Sequence, residues 1–239
     1  MQRPIPEEHI RTAALLTEEG LDRLSDARVA VFGIGGVGGH LAEALARAGV
    51  GHLTLVDRDV VSLSNINRQA VALHSTVGRP KVEVMAERIR DINPACSVEA
   101  VEAFYLPENA DSFPLSGFDF VADCVDTMAA KLELAVRCEA GGIPLIAAMG
   151  AGNKLHPEGF RITDIAKTET DPLARIMRRE LKKRGVKKLL CVWSDEPPRA
   201  ATLTGENGKP APASVSFVPS AMGLVMAGEI VRRLSGVED

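Results

Sequence analysis

The sequence predicts an α/β fold: a Rossmann-like, mostly parallel sheet flanked by helices and extended by antiparallel strands in the C-terminal third. Short apolar runs alternate with helical stretches over about residues 11–150, as is typical of parallel strands joined by crossover helices. The first run leads into the glycine-rich sequence 33–38, and a helical stretch follows directly, as in a nucleotide-binding turn. Beyond residue 152 the pattern changes, and short runs at 153–155 and 160–164 predict antiparallel strands.

The composition fits a single domain over residues 1–239, with a nucleotide-binding core at about 11–150 and a substrate-side extension at 151–239. Hydrophobic residues make up 46% of the chain and charged residues 25%, which is ordinary for a globular protein. The formal net charge of −4 argues against general coating of nucleic acid but leaves room for a local basic patch. No signal peptide or membrane-spanning segment is evident, so we predict a cytoplasmic protein without a membrane partner.

The N-terminal stretch 11–24 carries apolar residues near helical spacing, interrupted by Gly20, and predicts one or two short helices. Arg11 begins this stretch. Its charge is either solvated or reaches a phosphate, and the residues alone leave both interpretations open.

The glycine-rich turn follows the apolar run 29–32, which has the composition of a strand buried on both faces. Gly33 permits the tight turn, Gly35 lets backbone N–H groups approach a phosphate, and Gly38 lets the helix pack closely on the strand. The N-terminus of the helix adds partial positive charge at the same place. We therefore predict a bound nucleotide.

The second predicted strand, 52–56, ends in Asp57, where an acidic side chain is expected to meet a ribose hydroxyl. The polar loop that follows contains Asn65, Arg68 and Gln69. These side chains could clamp a polyphosphate, since a guanidinium is a fork of donors matched to phosphate oxygens. Alternatively, the loop only caps its neighbouring helix through Asn and Ser.

A helix is predicted to open at Gly78-Arg79-Pro80-Lys81 and to run to about Ile92. Lys81 then lies at a helix N-terminus, where a cation is unfavourable unless an anion is near. We interpret Lys81 as a phosphate ligand.

The third and fourth predicted strands are 96–101 and 118–125, and Asp126 follows the fourth. Ligands of open α/β sheets bind beyond the carboxyl ends of the strands, so Asp126 could face a triphosphate through a bridging Mg²⁺. Asp126 or Thr127 could instead cap the next helix. No role is assigned to Asp123.

The remaining predicted elements are a fifth strand at 143–148, a basic helix at 171–188 and a further strand at 189–193. They are followed by a loop of mobile composition at 195–213 and an apolar helix at 221–234. Residues 175–188 contain eight basic side chains against one acidic one. This helix is either an ordinary solvated face or a patch that binds the RNA backbone.

Together these features favour adenylyl transfer over NAD chemistry. The cations Arg68 and Lys81 and the metal-type carboxylate Asp126 surround one phosphate site. A dinucleotide requires neither Mg²⁺ nor the extra lysine, whereas attack on the α-phosphate of ATP requires both as pyrophosphate leaves. The predicted product is an acyl-adenylate.

Five motifs in order resemble the ATP site of the ubiquitin-activating-enzyme-like superfamily of adenylyltransferases: 33–38, 56–59, 64–69, 78–81 and 123–126. The resemblance implies nucleotide contacts for Gly33, Gly35, Gly36, Gly38, Asp57, Asp59, Asn65, Arg68, Gln69 and Lys81. It implies that Asp57 holds the ribose, that Arg68 and Lys81 act on the phosphates, and that Asp126 binds Mg²⁺. It also implies a homodimer in which an N-terminal arginine, here Arg11, reaches the partner's ATP.

The second half resembles the tRNA threonylcarbamoyladenosine dehydratases, at 161–174 and 191–196. That resemblance implies ATP-dependent activation of a carboxylate on modified tRNA, followed by loss of water to a cyclic product. Arg178, Lys182 and Lys183 of the basic helix are then candidate tRNA contacts. Cys191 lies where some relatives carry Cys, and we expect no catalytic role for it.

Two other functions are considered. Sulfur-carrier-activating members of the superfamily adenylate the C-terminal glycine of a ubiquitin-like protein, but they usually carry two C-x-x-C pairs that bind zinc; this chain has none, so no zinc is expected. The second alternative is a sensor or scaffold that binds ATP without turnover. Such a protein would tolerate the loss of Arg68, Lys81 and Asp126, so the presence of all three argues against it. Whether a sulfur-relay protein docks here is left open.

Overall fold

A computed structural model describes residues 4–200, 203 and 213–237. Two short helices, α1 (Ile10–Leu16) and α2 (Glu18–Asp26), precede the first strand, as the sequence predicts. They meet at Thr17, whose φ of 67° turns the chain and whose hydroxyl accepts a hydrogen bond from the Gly20 N–H at 3.1 Å.

All seven strands of the described residues belong to one sheet: β1 (Arg28–Phe32), β2 (His52–Val56), β3 (Ser97–Val101), β4 (Phe120–Asp123), β5 (Leu145–Ala148), β6 (Phe160–Asp164) and β7 (Leu190–Ser194). Their order is β3-β2-β1-β4-β5-β7-β6. All neighbouring pairs are parallel except β6 and β7, which are antiparallel. The predicted fold class, mostly parallel with an antiparallel C-terminal extension, is confirmed.

Five further helices flank the sheet: α3 (Gly38–Ala48), α4 (Lys81–Ile92), α5 (Met128–Gly141), α6 (Pro172–Lys183) and α7 (Phe217–Ser235). Pro80 stands just before the first turn of α4, at the N-cap position. Asp171 caps α6 by accepting a hydrogen bond from the Ala174 N–H at 3.0 Å. The basic helix α6 ends at Lys183, earlier than the predicted end at residue 188.

The C-terminal helix α7 packs across α3 and α2 and closes one face of the sheet. Its buried stripe includes Met222, Met226 and Ile230, each with no exposed surface. Gly223 allows the close approach to α3, because a Cβ there would lie 2.4 Å from the carbonyl oxygen of Val37. The C-terminal helix is thus built onto the helix that follows the glycine-rich turn.

The predicted antiparallel strand at 153–155 is wrong. Asn153 has a φ of 60°, which interrupts an extended chain, and Lys154 turns inward to donate to the carbonyl oxygens of Ser194 and Glu196 at 3.3 and 2.6 Å. Polar anchoring outweighs strand pairing here. Of the predicted mobile loop 195–213, only 195–200, 203 and 213 are described; the rest lies outside the described residues.

In the described part of the chain, no helix is both long enough and apolar enough to cross a membrane.

Candidate nucleotide site

A cavity of about 510 Å³ lies at the carboxyl ends of β1, β2 and β4. Its volume is in the range of small-molecule sites. Ten of the predicted site residues line it: Gly33, Gly35, Gly36, Asp57, Asp59, Asn65, Arg68, Gln69, Lys81 and Asp126. Segments far apart in the sequence therefore converge on one pocket.

The glycine turn is shaped by close backbone contacts. Gly33 has a φ of 89°, and a Cβ there would lie 2.7 Å from the carbonyl oxygen of Cys124. A Cβ at Gly38 would lie 1.8 Å from the carbonyl oxygen of Gly33, so Gly38 serves the fold of the turn and does not line the cavity. Gly35 differs, because the one atom of the described residues within 4 Å of a Cβ at this position is Nε2 of Gln69, at 3.9 Å. The pocket side of Gly35 is thus open to a ligand.

Asp57 is held in the cavity wall by two backbone donors. Its Oδ2 accepts from the N–H of Ile34 at 2.6 Å, and its Oδ1 accepts from the N–H of Asp59 at 2.8 Å. The first bond joins the end of β2 to the glycine turn, which fixes the orientation of the carboxylate. Such an orientation suits a ribose hydroxyl donor.

Lys81 is buried at the start of α4, with 6% of its side chain exposed, and its ammonium lies 2.7 Å from the Asp59 carboxylate. Asp59 is 58% exposed. The cation at this helix N-terminus therefore has an anionic partner from the protein itself. Lys81 and Asp59 both line the cavity, so they form a paired cation and anion in its wall.

The loop that contains Asn65, Arg68 and Gln69 has features of both predicted roles, a clamp for phosphates and a local cap. Asn65 Oδ1 accepts from the Ser62 N–H at 3.1 Å, so this side chain does close a turn. Gln69 is 8% exposed, and its Oε1 has no partner in the part of the chain that the structure describes. A buried unpaired amide at the cavity wall is costly without a ligand or water.

Asp126 follows β4 and is exposed at the cavity. Within the residues that the structure describes, its one side-chain hydrogen bond comes from the Thr127 hydroxyl at 3.3 Å, and it caps no helix. Among the described residues, no cluster of three or more His, Cys, Asp or Glu side chains could hold a metal ion. A single free carboxylate nevertheless fits Mg²⁺, which is commonly bound by one or two carboxylates together with substrate phosphates and water.

Sequence reasoning missed a buried ion pair beneath the site. Lys131 of α5 lies 2.9 Å from Asp123 at the end of β4, and both side chains have no exposed surface. Burial raises the pKa of Asp123, while the nearby Lys131 opposes that shift. Lys131 also donates to the Val125 carbonyl oxygen at 3.2 Å, so the pair supports the backbone that leads to Asp126. In the sequence, the one sign of this ion pair is Lys131 itself, an otherwise unexplained lysine one turn into the helix after Asp123.

A second missed feature is the stack of Arg58 on Phe104, with the guanidinium carbon 4.4 Å from the ring centroid. Both residues line the cavity, and Phe104 is 43% exposed. No spacing in the sequence connects them.

Four predicted residues lie away from the cavity. Arg11 is exposed on α1, and Arg178, Lys182 and Lys183 lie on α6. The Arg178 guanidinium donates to the Thr168 carbonyl oxygen at 2.7 Å, and Lys183 donates to Glu180 at 2.9 Å. Within the described residues, Lys182 is an exposed cation without a side-chain partner.

Cys191 is buried in β7, and burial raises the pKa of its thiol to about 12. The thiol is therefore protonated at neutral pH, which disfavours a nucleophilic role.

Comparison with known proteins gives a consistent result. The model of the ThiF family matches residues 7–239. The chain is 46% identical over 236 residues to the tRNA threonylcarbamoyladenosine dehydratase of Bacillus subtilis, covering 94% of this chain and 93% of that protein. The crystal structure of the Escherichia coli tRNA N6-threonylcarbamoyladenosine dehydratase in complex with ATP is 36% identical, with a TM-score of 0.88 and 98% of both chains covered. Its AMP complex is also 36% identical, with a TM-score of 0.89 and the same coverage.

Proposed function

We propose that this chain, which belongs to the ThiF family, is an ATP-dependent tRNA threonylcarbamoyladenosine dehydratase. It activates the carboxylate of threonylcarbamoyladenosine in tRNA as an adenylate and then closes it to the cyclic form with net loss of water. The observation that carries the proposal is the convergence of the glycine turn, Arg68 and Lys81 on one cavity. The similarity to proteins of this name supports the choice of substrate.

The first chemical step is attack of the substrate carboxylate on the α-phosphorus of ATP. A bond forms between the carboxylate oxygen and phosphorus, the bridge to the β-phosphate breaks, and pyrophosphate leaves. Gly35 leaves the backbone open to the phosphates, while Arg68 and Lys81 stabilise the charge that develops on them. Asp57 holds the ribose, so that the α-phosphate is fixed relative to these donors.

In the second step a nucleophile within the activated side chain attacks the acyl carbon. A bond forms between the nucleophile and the acyl carbon, the nucleophile releases its proton, and the acyl–oxygen bond to AMP breaks, so that AMP carries away the oxygen that the nucleoside loses. No nucleophile of the protein is required, in agreement with the protonated, buried thiol of Cys191.

The charge balance of the cavity supports a requirement for Mg²⁺. Three cations and three carboxylates line it: Arg58, Arg68 and Lys81 against Asp57, Asp59 and Asp126. A triphosphate therefore adds negative charge to a lining that is neutral overall. Asp126 would hold Mg²⁺, which when bound neutralises phosphate oxygens and stabilises the departing pyrophosphate.

A homodimer would add a further cation, from Arg11 of the partner subunit. Arg11 does not line the cavity of its own chain. Its neighbours on α1, Ile10 and Leu15, are 54% and 78% exposed, and apolar side chains of this kind suit an interface. We propose that Arg11 acts in the neighbouring active site.

The basic helix α6 and the residues that follow it would contact the tRNA backbone. Glu180 partly neutralises this surface, because hydrogen bonds from Lys183 and Arg184 lower its pKa to about 2 and keep it ionised. Lys182 and Arg175 are exposed and have no carboxylate partner among the described residues, so they are available to contact phosphates. The tRNA substrate also supports a cytoplasmic location.

The decisive experiment measures pyrophosphate release from ATP and Mg²⁺ with bulk tRNA that carries or lacks the threonylcarbamoyl group. The proposal expects release only with the modified tRNA, together with the loss of one water from the mass of that nucleoside. Release that depends instead on a small ubiquitin-like carrier protein would assign the site to sulfur-carrier activation. Binding of ATP without release under either condition would identify a sensor or scaffold.

A further inference from the structure

Among the described residues, the guanidinium of Arg68 is held by neutral acceptors alone. Its Nη1 donates to the carbonyl oxygen of Ser64 and to Oδ1 of Asn67, both at 2.9 Å. In the part of the chain that the structure describes, no carboxylate forms an ion pair with Arg68, whereas Lys81 pairs with Asp59. Arg68 is therefore oriented by hydrogen bonds without losing its net charge.

Asn67 connects Arg68 to a distant part of the chain. While its Oδ1 accepts from Arg68, its Nδ2 donates to the carbonyl oxygen of Ser214 at 3.0 Å. Ser214 and its neighbour Ala213 line the cavity just before α7. The orientation of Arg68 thus depends on where this short segment lies.

Asn153 fixes that segment. Its N–H donates to the carbonyl oxygen of Ala213 at 2.7 Å, and its Oδ1 accepts from the N–H of Ala213 at 2.7 Å. Its own carbonyl oxygen accepts from the N–H of Arg199 at 2.8 Å. The backbone that directs these groups has a φ of 60°, a conformation that asparagine tolerates better than most residues.

We infer that Asn67 and Asn153 are positioning residues for Arg68. They form one hydrogen-bonded chain that runs from Asn153 through Ala213 and Ser214 to Asn67 and the guanidinium. It sets the direction of an unneutralised cation at the phosphate end of the cavity. What Arg68 does there rests on the proposed function, because the inference requires ATP to be its anionic ligand.

Three variants separate the parts of this chain. Asn153→Gly tolerates the positive φ but lacks the acceptor for the Ala213 N–H, and Asn153→Asp keeps an acceptor oxygen. Asn67→Asp keeps the contact with Arg68, but it loses the donor to Ser214 and adds a negative charge beside the guanidinium. Loss of a hydrogen bond of this kind weakens binding by about three- to tenfold.

The experiment measures the dissociation constant of ATP with Mg²⁺ by calorimetry, and kcat and KM for pyrophosphate release, on the full-length protein. We expect Asn153→Gly to weaken ATP binding and Asn153→Asp to restore most of the affinity. We expect Asn67→Asp to weaken it further, with a loss that shrinks at high salt. Thermal unfolding checks that each variant is folded.

A double-mutant cycle in an Arg68→Ala background decides whether Asn153 acts through Arg68. The inference expects Asn153→Gly to cause no further loss of ATP affinity once the guanidinium is absent. The same fold-loss in both backgrounds would overturn it and leave the proposed function intact. If the wild-type protein binds no ATP, the proposed function and this inference both fail.

Discussion

The ammonium of Lys81 lies 2.7 Å from the carboxylate of Asp59, and the N–H of Lys81 donates to the carbonyl oxygen of Asp59 at 3.0 Å. The first turn of α4 is thereby tied twice to the loop after β2. The ammonium is buried, its anionic partner is exposed, and both residues line the cavity.

We expect Lys81→Ala to lower the rate of pyrophosphate release by about a hundredfold or more, because a preorganised cation at a developing phosphate charge is worth that much. The variant should remain folded, because the exposed Asp59 is not left as a buried unpaired charge. Arg79→Ala is the matched control: Arg79 pairs with the exposed Glu87 and does not line the cavity. Equal losses in the two variants would contradict a phosphate role for Lys81.

The glycine turn allows fold and binding to be separated. Gly38→Ala should destabilise the protein strongly, because its Cβ would lie 1.8 Å from a backbone oxygen. Gly35→Ala should leave the unfolding temperature nearly unchanged and weaken ATP binding by about tenfold, since its Cβ occupies open space where a phosphate approaches. Calorimetric titration with ATP and thermal unfolding measure the two effects. Full ATP affinity in Gly35→Ala would show that the phosphates lie elsewhere.

Local patterns predicted much of this site, since its residues immediately follow buried strands or open helices. Asp57, Lys81 and Asp126 were found because strand ends and helix starts are visible in one short window of sequence. The strand predicted at 153–155 is absent because the φ of 60° at Asn153 is supported by hydrogen bonds to Arg199 and Ala213, which lie far away in the sequence.

Contacts between distant segments were equally invisible. The bond from Asn67 to Ser214 joins residues 147 positions apart, and the pairing of Asp123 with Lys131 depends on how α5 packs on β4. No periodicity reports such contacts. A count of charges also overstates the number of free cations on the basic helix, since Glu180 pairs with Arg179, Lys183 and Arg184. Arg178 keeps its charge, but its guanidinium is held by Thr168.

The buried pair of Asp123 and Lys131 should control stability in a pH-dependent way. Lys131→Met leaves a buried carboxylate unpaired and should cost about 3–5 kcal/mol of unfolding free energy at neutral pH. Without Lys131, the pKa of Asp123 in the folded chain rises further above its value in the unfolded chain, which is about 4. Between these two pKa values the folded chain holds a proton that the unfolded chain has released, so the stability of the variant increases as the pH falls. The deficit relative to wild type should therefore be smaller at pH 5 than at pH 8.

Chemical denaturation at the two pH values measures that difference. The double variant Asp123→Asn/Lys131→Met removes the titrating group and keeps an acceptor for the Val125 N–H. It should recover most of the stability and lose the added pH dependence. A deficit in Lys131→Met that is independent of pH would attribute the cost to packing instead.

Charge reversal on α6 should weaken tRNA binding and flatten its dependence on salt. Lys182→Glu should act most cleanly, since Lys182 is exposed and unpaired within the described residues. Arg178→Glu and Lys183→Glu should also weaken binding, but they break contacts to Thr168 and Glu180 as well. Each lost phosphate contact should reduce the slope of log affinity against log salt by about 0.7–0.9.

Arg90→Glu on α4 is the control for net charge, because α4 packs on α3 and on the edge strand β3, whereas α6 packs on α5. Its slope should match that of the wild type. If Lys182→Glu and Arg90→Glu behave alike, then α6 is an ordinary solvated face.

Arg11 should act across a dimer interface. Arg11→Ala and Lys81→Ala should each be nearly inactive alone, for different reasons. In a dimer formed from one chain of each variant, the chain that carries Arg11→Ala keeps its own Lys81 and receives Arg11 from its partner. One of the two sites is then intact.

Random exchange in an equal mixture makes half of the dimers mixed, so about a quarter of wild-type pyrophosphate release should return. The recovered rate should follow the fraction of mixed dimers as the two variants are combined in different ratios. If mixing restores nothing while the chains are shown to exchange, Arg11 has no role in the partner's site.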